Sequence, residues 1–206
     1  MPISFPVSIR TQAFRFGPQK RVYYPQVDQM RNQQLQHYMN QSIVLQAKGL
    51  MDFQVGDTPS TVKEMLGTYE IKNNQRQVLS LTQSNYTYHD RAAHGMTFIR
   101  SLTFDLKRGR RCDLKDLFKP GSDYIKRLSA LIHEQIKERG IQLISEFTTI
   151  SPNQEFYIAD KTLVIYFQLY DLTPYVFGFP MFPISVYDIQ DIIDEDGSLG
   201  RMATND

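Results

Sequence analysis

Between Met65 and Leu106 three runs, "MLGTYEIKN", "RQVLSLTQSNYTYH" and "GMTFIRSLTFDL", carry period-two patterning and are separated by short polar turns. In the third, Met96, Phe98, Leu102, Phe104 and Leu106 share one phase, broken by Arg100, while Thr97, Ser101, Thr103 and Asp105 share the other. A period of two puts each set on its own face of a strand. The pattern predicts a half-buried antiparallel meander whose apolar face needs a cover.

That cover stands upstream. Asp28 is placed to cap a helix running to about residue 48, with Leu35, Tyr38, Met39 and Ile43 on one side and asparagines and glutamines on the rest. Before it, "ISFPVSIRTQAFRF" holds Phe5, Val7 and Ile9 in one phase and Phe14 and Phe16 in the other, which predicts a strand bent or bulged near Thr11 to Ala13. "RVYYPQV" is a short extended partner, and its Pro25 favours a sheet edge. The turn "LKRGRRCDL", with Lys107, Arg108, Arg110 and Arg111 in solvent, closes a first α+β unit over 1–112.

A second unit over 113–193 starts with the clearest helix in the chain. Ser122 is its expected cap, Ile125, Leu128, Ile132 and Ile136 its buried stripe, and Gly140 its stop. "EFYIADKTLVIYFQLYDL" follows as a hairpin turning at Asp160 and Lys161, its second arm apolar on both faces like a central strand. A Pro- and Gly-punctuated aromatic loop, a last strand and a helical turn with Ile189, Ile192 and Ile193 complete it, and 194–206 is expected to be a flexible polar tail. The expected fold class is α+β, two packed subdomains, each a small, mostly antiparallel sheet covered by one main helix.

Composition removes several function classes. Of 206 residues, 41% are hydrophobic and 12% aromatic, enough for a proper core. With 23 basic against 22 acidic residues the formal charge is +1, so the electrostatic footprint of a nucleic-acid binder is missing. Cys112 has no cysteine partner, and no apolar run reaches the roughly 18 residues of a membrane span. The start does not resemble a signal peptide, so a chain complete as given is expected to stay in the cytoplasm.

Two places hold candidate site residues. The corner "HDRAAHG" gathers His89, Asp90, Arg91, His94 and Gly95. Histidines five positions apart across a strand turn are poorly spaced for a zinc pair, so the corner is expected to be architectural, with His94 bonding nearby main chain and no metal bound. The loop "LYDLTPYVFGFPMFPIS" gathers Tyr170, Pro174, Tyr175, Phe177, Gly178 and Phe179, followed by Met181 and Phe182. It either closes the second core or offers an aromatic platform to a sugar or a protein. Nothing matches a nucleophile elbow, a phosphate-cradling glycine loop or an activated thiol, so no catalytic residue, cofactor or enzymatic activity is expected.

The motifs "YYPQV", "AAHGMTFIRSLTFDL" with "CDLKDLFKPG", and "FYIADKTLVIYFQLYDLTPYVFGFPMFPIS" resemble the paired α+β domains in the extracytoplasmic region of RsiV-type anti-sigma factors and in the N-terminal region of PdaC-type peptidoglycan deacetylases. The resemblance runs from about Val22 to Ile193. Ala93, His94 and Gly95 match its corner motif, and Tyr170, Pro174, Tyr175 and Gly178 its loop motif. It implies a non-catalytic binding or sensing module, which in RsiV-type receptors takes lysozyme, and a family that is usually extracytoplasmic. The alternatives are an accessory or catalytic domain acting on peptidoglycan and a cytoplasmic protein-interaction domain. The sigma-binding segment, membrane helix and deacetylase domain of those relatives have no counterpart in the sequence.

Overall fold

The computed structural model describes residues 5–204. Over these residues the alternating runs become β3 (Val62–Gln75), β4 (Val78–His89) and β5 (Met96–Asp105), with β1 (Ser8–Arg15) and β2 (Lys20–Asp28) before them and β6 (Arg110–Arg111) after. They form a six-stranded sheet in the order β1-β2-β3-β4-β5-β6. Only β2 and β3 pair in parallel, from Lys20↔Met65 to Val22↔Gly67, because α1 (Gln33–Val55) carries the chain back across the sheet between them.

Three local expectations change. β1 and β2 keep an unbroken register from Ser8↔Asp28 to Arg15↔Arg21, so the bulge near Thr11 is absent. Ile9 reaches the cluster around Met39 while Phe14 stacks on Tyr24 with ring centroids 4.7 Å apart, and neither needs an extra residue. β2 lies inside the sheet, yet its ladder with β3 ends at Val22, so Pro25, opposite Thr11, has only one ladder to complete. Asn32 rather than Asp28 caps α1: its Oδ1 accepts from the Leu35 N–H at 3.0 Å, while Asp28 stays in β2 and pairs with Arg10 at 2.6 Å.

The stripe on α1 meets the sheet as its spacing requires. Leu35, Met39 and Ile43 pack on Val27, Leu79, Leu81, Leu102 and Phe104, each side chain contributing about 1.5 to 3 kcal/mol by leaving water. The helix runs past residue 48 to bury Leu50 and Met51 as well, and Tyr38 is left half in solvent.

The opposite face was expected to be wet, and at this end it is dry. Ser80, Thr82, Ser101 and Thr103 are buried there beneath a three-stranded antiparallel sheet of β7 (Phe156–Ala159), β8 (Thr162–Tyr166) and β9 (Met181–Ser185). Small hydroxyl residues let β7 approach closely and satisfy one another: Ser80 and Thr103 share a 2.8 Å hydrogen bond, and the Ile158 N–H donates to Ser80 Oγ at 3.0 Å.

The hairpin turns at Asp160, and β8 is the central strand. Its core contains Leu163, Ile165, Phe182 and Ile184, covered by Leu128, Ile132 and Ile136 of α2 (Tyr124–Glu138) and joined by Val78 of β4. Asp123, not Ser122, caps α2 by accepting from the Lys126 N–H at 3.4 Å. The Ser122 hydroxyl is buried and has no hydrogen-bond partner among the described residues.

The segment expected to fray is packed. Leu199 and Met202 enter the second core, and Arg201 reaches back to Asp105 with Nη2···Oδ1 2.8 Å. Two apolar side chains and one buried charge anchor an otherwise polar stretch. Asn205 and Asp206 lie outside the described residues.

Candidate functional site

The β4–β5 turn and the loop between β8 and β9 come together on one side of the molecule. Gln168 makes the join: its Oε1 accepts from the Ile99 N–H at 3.0 Å and its Nε2 donates to the Ile99 carbonyl at 2.6 Å, tying the loop to β5. A tight turn follows, closed by the Asp171 N–H on the Gln168 carbonyl at 3.2 Å, and it holds Tyr170 at φ 67°. A bulky side chain in the left-handed region is strained, and such strain persists only where neighbours impose it. Next comes a 3-10 turn, Tyr175–Phe177, in which the Phe177 N–H donates to the Pro174 carbonyl at 3.0 Å and Gly178, at φ 70°, ends the turn.

These turns bring three rings together at a tilt. His94 and Tyr175 lie 4.8 Å apart and Tyr170 and Tyr175 5.6 Å apart, centroid to centroid. The His94 Nδ1 sits 2.9 Å from the Gly95 carbonyl, which can only accept, so Nδ1 carries the hydrogen. Nε2 lies 3.4 Å from the Tyr170 hydroxyl, and the Tyr175 hydroxyl donates to the Gly95 carbonyl at 3.5 Å. Gly95 is required here. A Cβ at that position would stand 2.2 Å from the Tyr86 ring.

Around the rings lies an exposed apolar surface. Val176 is 85% exposed, Phe177 50%, Tyr170 45% and Tyr175 37%. The loop thus divides the two roles weighed for it: Leu169, Leu172 and Phe182 are buried, Pro174, Phe179 and Met181 are half-buried, and the tip faces solvent. His89, Asp90 and Arg91 do not join the patch. His89 places Nε2 2.7 Å from the Gln54 carbonyl and Nδ1 2.7 Å from the Thr61 hydroxyl, Asp90 lies 3.8 Å from Lys63, and Arg91 turns the chain at φ 64°. They fasten the end of α1 and the start of β3.

Cys112 is not set up as a nucleophile. Burial pushes the Cys112 thiol up, and its sulfur lies 3.4 Å from the Ser198 hydroxyl, the reverse of an activated nucleophile. Among the described residues no three His, Cys, Asp or Glu side chains converge as a metal ion would need. What the site offers is an aromatic, partly strained, firmly tethered contact surface.

The loop that carries this surface falls within a family match. Residues 115–187 match the protein family of unknown function DUF3298. The matched segment takes in α2, the whole three-stranded sheet and the aromatic loop. Two solved structures from that family share the fold. One, from Bacteroides fragilis, superposes with a TM-score of 0.72 at 13% identity, covering 98% of this chain and 99% of that one. A second, from Pseudomonas aeruginosa, has a TM-score of 0.69 at 11% identity and covers 99% of each chain. Among curated proteins, the peptidoglycan-N-acetylmuramic acid deacetylase PdaC of Bacillus subtilis is 24% identical over 136 residues, 62% of this chain. The match spans 28% of PdaC's length. The fold is shared with the two DUF3298 structures and the sequence likeness reaches part of PdaC, and neither carries an activity with it.

Proposed function

We propose that the protein is a non-catalytic recognition module whose contact surface is the patch of His94, Tyr170, Tyr175, Val176 and Phe177. The observation that carries this reading is a strained, half-exposed tyrosine held in place by a clamp rather than released into solvent. A few rigid aromatic anchors are what a protein hot spot uses, and a protruding apolar tip suits insertion into a partner. The RsiV-type resemblance supports lysozyme as the protein to try. Its positive charge would gain little steering from a chain of net charge +1, so the affinity should be modest.

The PdaC relative favours a second reading, a peptidoglycan ligand, since exposed tyrosine rings also receive the apolar faces of sugar rings. Surface plasmon resonance of the purified chain against lysozyme and against soluble peptidoglycan fragments separates the two. One of them should bind saturably, and Tyr175→Ala should weaken that binding at least about tenfold. A folded chain that binds neither, or a variant that binds as the parent does, would remove the proposal.

A further inference from the structure

On another part of the molecule the seam between the two sheets opens as a cleft of about 380 Å³, within the range of small-molecule sites and at the kind of junction they favour. Its floor includes the buried side chains of Leu114 and Phe156, and its walls carry Ser101, Arg100 and Glu155. Glu155 is fully engaged. One oxygen meets Arg100 Nη1 at 2.5 Å, and the other accepts from Ser101 Oγ at 3.1 Å and the Tyr166 hydroxyl at 2.9 Å. Arg100 is thereby held over the cleft while the rest of its planar fork stays open.

The second guanidinium is the more telling one. Arg111 lines the same cleft from β6, and among the described residues it has no ion-pair or hydrogen-bond partner, whereas its neighbour Arg110 pairs with Asp116 at 3.2 Å. Asp113, also at the rim, donates its N–H to Asp116 Oδ2 at 2.9 Å, and its carboxylate forms no ion pair with Arg111. Neither rim carboxylate pairs with Arg111, which leaves its guanidinium unpaired beside a hydroxyl-bearing wall. Asn153, exposed at the mouth, adds a carboxamide.

We infer that this cleft binds a small hydroxylated carboxylate, the chemistry of an acidic sugar, with Arg111 gripping the carboxylate and the hydroxyl groups meeting the polar wall of Arg100, Ser101 and Asn153. A guanidinium takes a carboxylate through two parallel hydrogen bonds, which fixes the ligand's orientation as well as adding energy. This inference is independent of the aromatic patch and stands or falls by itself.

The test is calorimetric and NMR titration of the full chain with N-acetylmuramic acid and glucuronate, against N-acetylglucosamine, glucose and inorganic phosphate. The acidic sugars should bind saturably and shift the amides of 111–114 and 153–156, the neutral sugars should not bind, and phosphate should bind more weakly than the acidic sugars. Arg111→Ala should weaken the acidic sugars at least about tenfold, with Arg111→Lys in between and Tyr175→Ala without effect. Because Arg111 is exposed at a sheet edge, the variant should keep its circular dichroism spectrum; should it not, Arg111→Gln serves in its place. No saturable binding, equal binding of neutral sugars or of phosphate, or an unchanged affinity in the Arg111 variants would overturn the inference.

Discussion

Asp105 is 1% exposed, and a carboxylate that deeply buried survives only with several donors around it. Burial alone would raise its pKa, but the Arg201 hydrogen bond, the Arg108 N–H and the Arg201 charge outweigh it and hold the carboxyl below its ordinary value. Asp105→Asn removes one member of this buried pair and should cost about 3 to 5 kcal/mol at neutral pH, measured by denaturant unfolding. Since the folded value is lowered, the contribution is complete above the unfolded value of about 3.9 and is lost as the pH falls through the folded one. The parent should therefore lose more stability on acidification than the variant, and parallel pH profiles would refute this. Asp105 illustrates what patterning hides, because it stands in the polar phase of β5 and its partner Arg201 is 96 residues away. His89 and His94 show the same limit. Both lie at one hairpin corner in the sequence, and only the path of α1 and of the β8–β9 loop decides that His89 is structural while His94 joins the rings.

At the scale of elements, α2 was legible because its apolar spacing, cap region and stop all agree. Ile132 is fully buried and Glu134 exposed, so Ile132→Ala should cost about 2 to 5 kcal/mol and Glu134→Ala next to nothing in the unfolding midpoint. The cap makes a finer test. Asp123→Ala should cost about 1 kcal/mol, whereas Ser122→Ala removes a buried hydroxyl without a partner and should be neutral or stabilising; the opposite order would put the cap back on Ser122. The end of α1 was less legible because Gly49, unfavourable in a helix by about 1 kcal/mol, stands on its exposed side just past residue 48, while the buried stripe continues through Leu50 and Met51. The dry hydroxyl face was not legible at all. Serine and threonine in alternation look like a solvent face unless a second sheet is known to cover them.

At the scale of the whole molecule, two sheets share one core, since Val78 of the first belongs to the cluster around Ile132 and the closing segment reaches both through Leu199 and Arg201. Removing 195–206 should thus lower the unfolding midpoint of the whole chain in one cooperative transition rather than trim a loose end. A truncated chain that unfolds at the parent midpoint would contradict this packing. The same arrangement brings the turn of one sheet beneath the loop of the other, and so creates a surface that neither sheet has alone. Hydrogen–deuterium exchange of the full chain with lysozyme and with soluble peptidoglycan fragments tests that surface most directly. Protection confined to 93–96 and 168–178 is the predicted result; protection centred on α1 or β1, or none at high micromolar ligand, would contradict it.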